Sequence, residues 1–172
     1  MSVVAIYSMK GGVGKSCTAV NLAWNSAVGS SRRTLLWDLD PQGAASFILN
    51  GNNVEKDRAR AMIAGNVKPA KLIKHTEIDN LDLLAADVSL RSLDRLFFQI
   101  GKKRHLGKLL KELGKDYDRI ILDCPPGLSE TSEQILRNAD IVIVPTIPSP
   151  LSERALSDVQ IFLNSAGKKH AP

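Results

Sequence analysis

Apolar and polar positions along this chain fall into short continuous runs separated by stretches of helical spacing. Val3 to Tyr7 is an apolar run that fits a buried strand. After the Gly-rich stretch Met9 to Lys15, Ala19, Ala23 and Ala27 lie on one helical row and Val20, Trp24 and Val28 on the next. This predicts a helix over 15–28, apolar and covered around much of its circumference and ended by Gly29-Ser30-Ser31. Thr34 to Trp37 predicts a second strand that closes at Asp38, and Leu81 to Ala85 a third. Between them, 51–74 gives only short helical pieces, interrupted by Asn52-Asn53, Gly65 and Pro69. Leu90, Leu93, Phe97 and Ile100 follow helical spacing, as do Leu106, Leu109, Leu110 and Leu113. Arg119 to Asp123 predicts a fourth strand and Ile141 to Val144 a fifth. Ser149 and Pro150 suit the N-cap and first turn of a last helix, with Leu151, Ala155, Val159 and Phe162 inward. Strands that are continuous apolar runs and alternate with helices imply an α/β fold, a doubly wound and mainly parallel sheet covered on both faces.

Composition narrows the class. The chain has 172 residues, 44% apolar and 24% charged, which fits one soluble domain and excludes a disordered chain, a collagen-like repeat or a membrane bundle. Cys17 and Cys124 alone cannot form a disulfide scaffold, and they point to a reducing compartment. No stretch reaches the roughly 18 apolar residues of a membrane span, and the start lacks the basic residues of a signal peptide. A cytoplasmic protein with no membrane contact is expected. The net charge of +5 permits a polyanion partner but usually marks a solvated face.

The chemistry is concentrated in Lys10-Gly11-Gly12-Val13-Gly14-Lys15-Ser16, between the first strand and the first helix. Glycines let backbone amides turn inward onto phosphate oxygens, and the helix N-terminus behind them adds unpaired donors. Lys15 can reach the outer phosphates, and the Ser16 hydroxyl can ligate Mg²⁺. A standard P-loop has glycine five residues before Gly14, where this chain has Met9, and a second lysine, Lys10, follows it. One loop cannot easily aim both lysines at the same phosphates, so Lys10 is expected to point towards another molecule's nucleotide. Carboxylates stand at the carboxyl ends of two strands, where α/β sheets place ligands. Asp123 follows Ile120-Ile121-Leu122 and can hold Mg²⁺ through water. Asp38 and Asp40 close the second strand, and either could orient a water towards the terminal phosphate. Pro125-Pro126-Gly127 blocks continuation of the fourth strand and offers a loop to sense that phosphate.

These segments, with Asp38-Leu39-Asp40-Pro41-Gln42 and Ile121-Leu122-Asp123-Cys124-Pro125-Pro126, resemble the deviant Walker ATPases of the ParA/MinD superfamily. Val144-Pro145-Thr146 followed by Pro148-Ser149-Pro150 resembles its ParA branch. The resemblance implies an ATPase that binds ATP and Mg²⁺ and closes into a nucleotide-sandwich homodimer. Lys10 would cross to the partner's ATP, Lys15 would bind phosphate, and the loop from Lys10 to Cys17, with Gly11, Gly12, Val13 and Gly14, would cradle the nucleotide. Ser16 and Asp123 would serve the metal, Asp40 would position the attacking water, and Asp38 would assist near the metal. Such proteins partition plasmid or chromosomal DNA or position cargo, and a separate activating protein usually stimulates hydrolysis. The alternatives are a nucleotide-binding switch without efficient turnover and a MinD-like positioning ATPase, for which the polar tail offers no basic amphipathic segment.

The chain is read as one ATPase domain over 1–172, with the family's C-terminal strands and helices missing. Cys17 replaces the family's usual Thr, so contact with the α-phosphate is expected from its backbone amide. Lys102-Lys103-Arg104-His105 could touch DNA phosphates without sequence preference, though a solvated face is the expectation. His75, His105 and His170 are too scattered for a metal site. Trp24 and Trp37 sit in core-type patterns, and Cys124 is expected to pack as a small apolar residue.

Overall fold

A computed structural model describes residues 1–49, 57–100 and 105–165. Six strands form one sheet: β1 (Ser2–Ile6), β2 (Thr34–Asp38), β3 (Ile73–His75), β4 (Leu81–Leu84), β5 (Arg119–Asp123) and β6 (Ile141–Ile143), in the order β3-β4-β2-β5-β1-β6. All pairs are parallel except β3 with β4. The helices are α1 (Lys15–Trp24), α2 (Ala44–Ile48), α3 (Arg58–Ile63), α4 (Leu93–Ile100), α5 (His105–Leu113), α6 (Glu130–Asn138) and α7 (Pro150–Ser165).

Strand alternation divides the core into two layers. Val4, Ile6, Leu36 and Ile121 face α1 and α2, through Ala19, Ala23, Ala27 and Ala45. Val3, Ala5, Leu35, Trp37, Ile120 and Leu122 face the opposite layer, which α3 to α7 fill with Met62, Phe97, Leu110, Ile135 and Val159 among others. Small alanines on α1 bring it close to β1, β2 and β5, which places the loop before it over the carboxyl ends of those strands.

Several expectations change. The first helix runs to Gly29 as expected, but its last five residues, Asn25–Gly29, form a π-turn. Of its two apolar rows only the alanine row is buried: Trp24 is 48% exposed and Val28 45%. The circumference is therefore not covered, whereas Trp37 is core. The third strand is β4, and the antiparallel edge strand β3 precedes it within the stretch that periodicity left unread. Its three residues are too few to show a period. Helix α6, with the Ser129–Ser132 capping box, was also missed, because it buries Thr131, Ser132 and Gln134 beside Ile135 and Leu136. β6 lies at the sheet edge with Ile141 53% exposed, although its sequence reads as a covered strand. In α7, Val159 and Leu163 face inward with Ser152, while Leu151 is 67% exposed.

Candidate functional site

The carboxyl ends of β1, β5 and β2 converge at one place. β1 runs into the loop 8–14, and Gly14 N-caps α1 in the left-handed region, with no side chain covering the helix's first amides. Gly12 and Gly14 have φ of +73° and +89°, a conformation that costs other residues about 1–2 kcal/mol. A Cβ added at Gly11, Gly12 or Gly14 meets nothing within 4 Å, so open space lies in front of these amides. That combination of free donors, helix dipole and room is an anion cradle.

The two lysines take different directions. Lys15 is 7% exposed, and its ammonium donates to the Lys10 carbonyl at 3.1 Å, folding back across the loop. Lys10 is half-buried and donates to Ser152 Oγ at 3.3 Å, in the first turn of α7. Ser152 in turn exchanges a 2.9 Å hydrogen bond with the Ser149 hydroxyl. In this chain Lys10 thus rests on its own last helix. Ser16 is half-buried, and Cys17 is exposed on the first turn of α1, where its carbonyl accepts a 2.8 Å bond from Asn21.

Asp123 and Asp38 are register partners at the ends of β5 and β2, and both are fully buried. They differ in what holds them. Asp38 Oδ2 accepts from Ser46 N at 2.8 Å and Ser46 Oγ at 2.7 Å, and Oδ1 accepts from Asp40 N at 3.1 Å. Burial raises its pKa against the pull of these donors. Asp38 therefore organises the turn into α2, and Ser46 passes the link on by accepting from Ala86 N at 2.9 Å. Asp40 is 9% exposed, and its Oδ1 accepts from Gln42 N at 2.9 Å.

Neither oxygen of Asp123 has a hydrogen-bond partner within 3.5 Å, and the nearby Ser16 hydroxyl favours its charged form without closing a full hydrogen bond. Burial pushes its pKa up to about 7; Ser16 and Lys15 pull down and the neighbouring Asp38 and Asp40 push up. A buried carboxylate without partners is costly unless a cation or donor completes it. Among the described residues no group of three His, Cys, Asp or Glu side chains could by itself hold a metal ion. Mg²⁺ is commonly held by one or two protein oxygens together with phosphate and water. Asp123 and Ser16 fit such a role.

Beside this site, Cys124 is fully buried and its thiol is pushed well upward by burial, so it packs as a small apolar residue. His75 pairs with Asp82 at 2.7 Å far along the sheet, at its β3 edge. Residues 102–104 of the basic run, and His170, lie outside the described residues. No helix among the described residues is long and apolar enough to cross a membrane. Ser46, Ser152 and Tyr7, whose hydroxyl reaches the Gly127 carbonyl at 3.1 Å, are site-bordering residues that no motif announced. Their roles depend on contacts across 8, 142 and 120 positions of sequence.

The same architecture recurs in known proteins. A family of AAA domains, AAA_31, matches residues 1–171. The chromosome partitioning protein ParA of Myxococcus xanthus is 36% identical over 148 residues, covering 83% of this chain and 51% of ParA. The sporulation initiation inhibitor protein Soj of Bacillus subtilis is 34% identical over 149 residues, covering 83% of this chain and 57% of Soj. A single-residue variant of Cyanothece McdA in complex with ATP matches with a TM-score of 0.87 at 26% identity, covering 97% of this chain and 64% of McdA. Cobyrinic acid a,c-diamide synthase from Mycobacterium smegmatis, with bound ATP analog and magnesium, matches with a TM-score of 0.84 at 29% identity, covering 96% of this chain and 66% of the synthase. The chain therefore spans about half the length of these curated relatives. The chain belongs to the AAA-domain family, in the ParA branch of the ParA/MinD P-loop ATPase superfamily.

Proposed function

We propose that this chain binds ATP with Mg²⁺ in the loop 10–17 and hydrolyses it, as one ParA-type ATPase domain over 1–172 whose loaded form pairs with a second copy. The observation that carries this reading is the conjunction at one sheet end of an open amide cradle, a buried Lys15 folded over it and a fully buried Asp123 without a partner.

The residues divide the work. Amides of Gly11 to Cys17 hold phosphate oxygens, and Lys15 exchanges the Lys10 carbonyl for them. Ser16 and Asp123 hold the cation, which supplies charge neutralisation at the phosphates. Asp38, saturated by Ser46 and the Asp40 amide, fixes the turn that carries Asp40. Asp40 orients the attacking water. Lys10 exchanges Ser152 for the partner's nucleotide when two copies meet. A separate activating protein and non-specific DNA are the expected partners in a cytoplasmic, nucleoid-associated cycle that partitions DNA or positions cargo.

The test is calorimetry and phosphate release with ATP and GTP, with and without Mg²⁺. Mg²⁺-dependent ATP binding followed by slow turnover supports the reading. Binding without base preference or turnover supports a nucleotide switch instead, and no binding defeats both. DNA binding, if present, weakens steeply with added salt.

A further inference from the structure

Resting on the nucleotide reading above, we infer that Tyr7 is a positioning residue that ties the loop after Asp123 to the phosphate loop, so that the two move as one body when the terminal phosphate is present or absent. Tyr7 is fully buried at the end of β1, one residue before the phosphate loop begins. Its amide donates to the Ile143 carbonyl at 2.9 Å, which locks its backbone to β6. Its hydroxyl crosses to the Gly127 carbonyl at 3.1 Å, in the segment that leaves Asp123.

That segment has few other ties. Pro125 and Pro126 have no amide hydrogen to give. Among the described hydrogen bonds, the Tyr7 hydroxyl supplies the one that reaches residues 125–128. Gly127 sits at φ +84°, and a Cβ there would meet nothing within 4 Å, so the peptide has room to reorient unless it is held. The carbonyl held by Tyr7 belongs to the same peptide plane as the Leu128 amide. Fixing one end therefore aims the other. Two residues on, Ser129 opens α6 with its reciprocal Ser132 bonds at 2.7 and 3.4 Å. Through Asp94, which accepts from Thr131 N and Oγ1 at 2.8 and 2.6 Å, α6 is joined to α4. A displacement of the loop would thus pass into two helices of the far layer. Burial pushes the phenol up to about 12, so at neutral pH it stays protonated and able to donate.

Tyr7→Phe removes the hydroxyl and keeps the ring. In nucleotide-free protein, the backbone order parameters of Gly127 and Leu128, read by nitrogen relaxation, should fall, while those of β1 and β5 stay unchanged. In calorimetry with ADP and with a non-hydrolysable ATP analogue, the wild-type preference for the triphosphate should fall about fivefold in the variant, the worth of one neutral hydrogen bond. ADP affinity should hold, which separates positioning from general damage. Unchanged order parameters at Gly127 and Leu128, or an unchanged preference, overturns the role of Tyr7 alone. Wild-type protein that binds neither nucleotide overturns the underlying nucleotide reading and this role with it.

Discussion

At the level of single residues, two lysines and one aspartate separate the account from a generic Gly-rich turn. Lys15 faces the cradle and Lys10 faces α7. Lys15→Ala should weaken ATP binding by about 10- to 100-fold, the loss of one or two charge-assisted contacts. Lys10→Ala should leave monomer affinity for ATP within about twofold and abolish ATP-induced pairing, read by sedimentation. The pKa of Asp123 gives a sign that can be checked without nucleotide. Its folded value of about 7 lies above the ordinary 3.8, so the folded chain keeps a proton that the unfolded chain releases. That contribution to stability is fully present below about pH 4 and is lost as pH rises towards about 7. A three-unit window at about 1.4 kcal/mol per unit sets a ceiling of about 4 kcal/mol, shared with Asp38. Urea melts of nucleotide-free protein should show stability falling between pH 4 and 7, and Asp123→Asn should flatten that fall. Steady stability across the range would contradict the buried, unpaired carboxylate.

Among the elements, the turn from β2 into α2 is where one side chain supports several parts. Ser46 serves the Asp38 carboxylate with both its amide and its hydroxyl, and accepts the Ala86 amide. Ser46→Ala should cost about 1–3 kcal/mol in denaturant unfolding, because a buried acceptor and a buried donor each lose a partner. Gly14→Ala has open space around it, so its cost of about 1–2 kcal/mol would be conformational alone. The three motifs and the parallel α/β plan were legible because each rests on local chemistry: glycines, a strand run or a strand-end carboxylate. β3 was not, because an edge strand of Ile73 to His75 shows no period and gains its place from pairing with β4. α6 hid behind polar residues that are buried by caps and by Asp94. Trp24 and Leu151 misled because helical rows reveal which side chains are neighbours and not how far the sheet extends beneath them. The partner of Lys10 is also a tertiary fact, since Ser152 lies 142 residues away.

For the molecule as a whole, the sheet order puts the phosphate loop between the two edges and gathers three strand ends beneath it. The central claim is that the amides of residues 11–16 and the ammonium of Lys15 would enclose a triphosphate, with Ser16 and Asp123 placed to hold its Mg²⁺. The most direct measurement is a crystal structure of the protein grown with Mg²⁺ and a non-hydrolysable ATP analogue. The account predicts phosphate density in the loop, the Lys15 ammonium moved from the Lys10 carbonyl onto a phosphate oxygen, and Asp123 joined to the cation. A loop without ligand, with Lys15 still on the Lys10 carbonyl at saturating nucleotide, would contradict it.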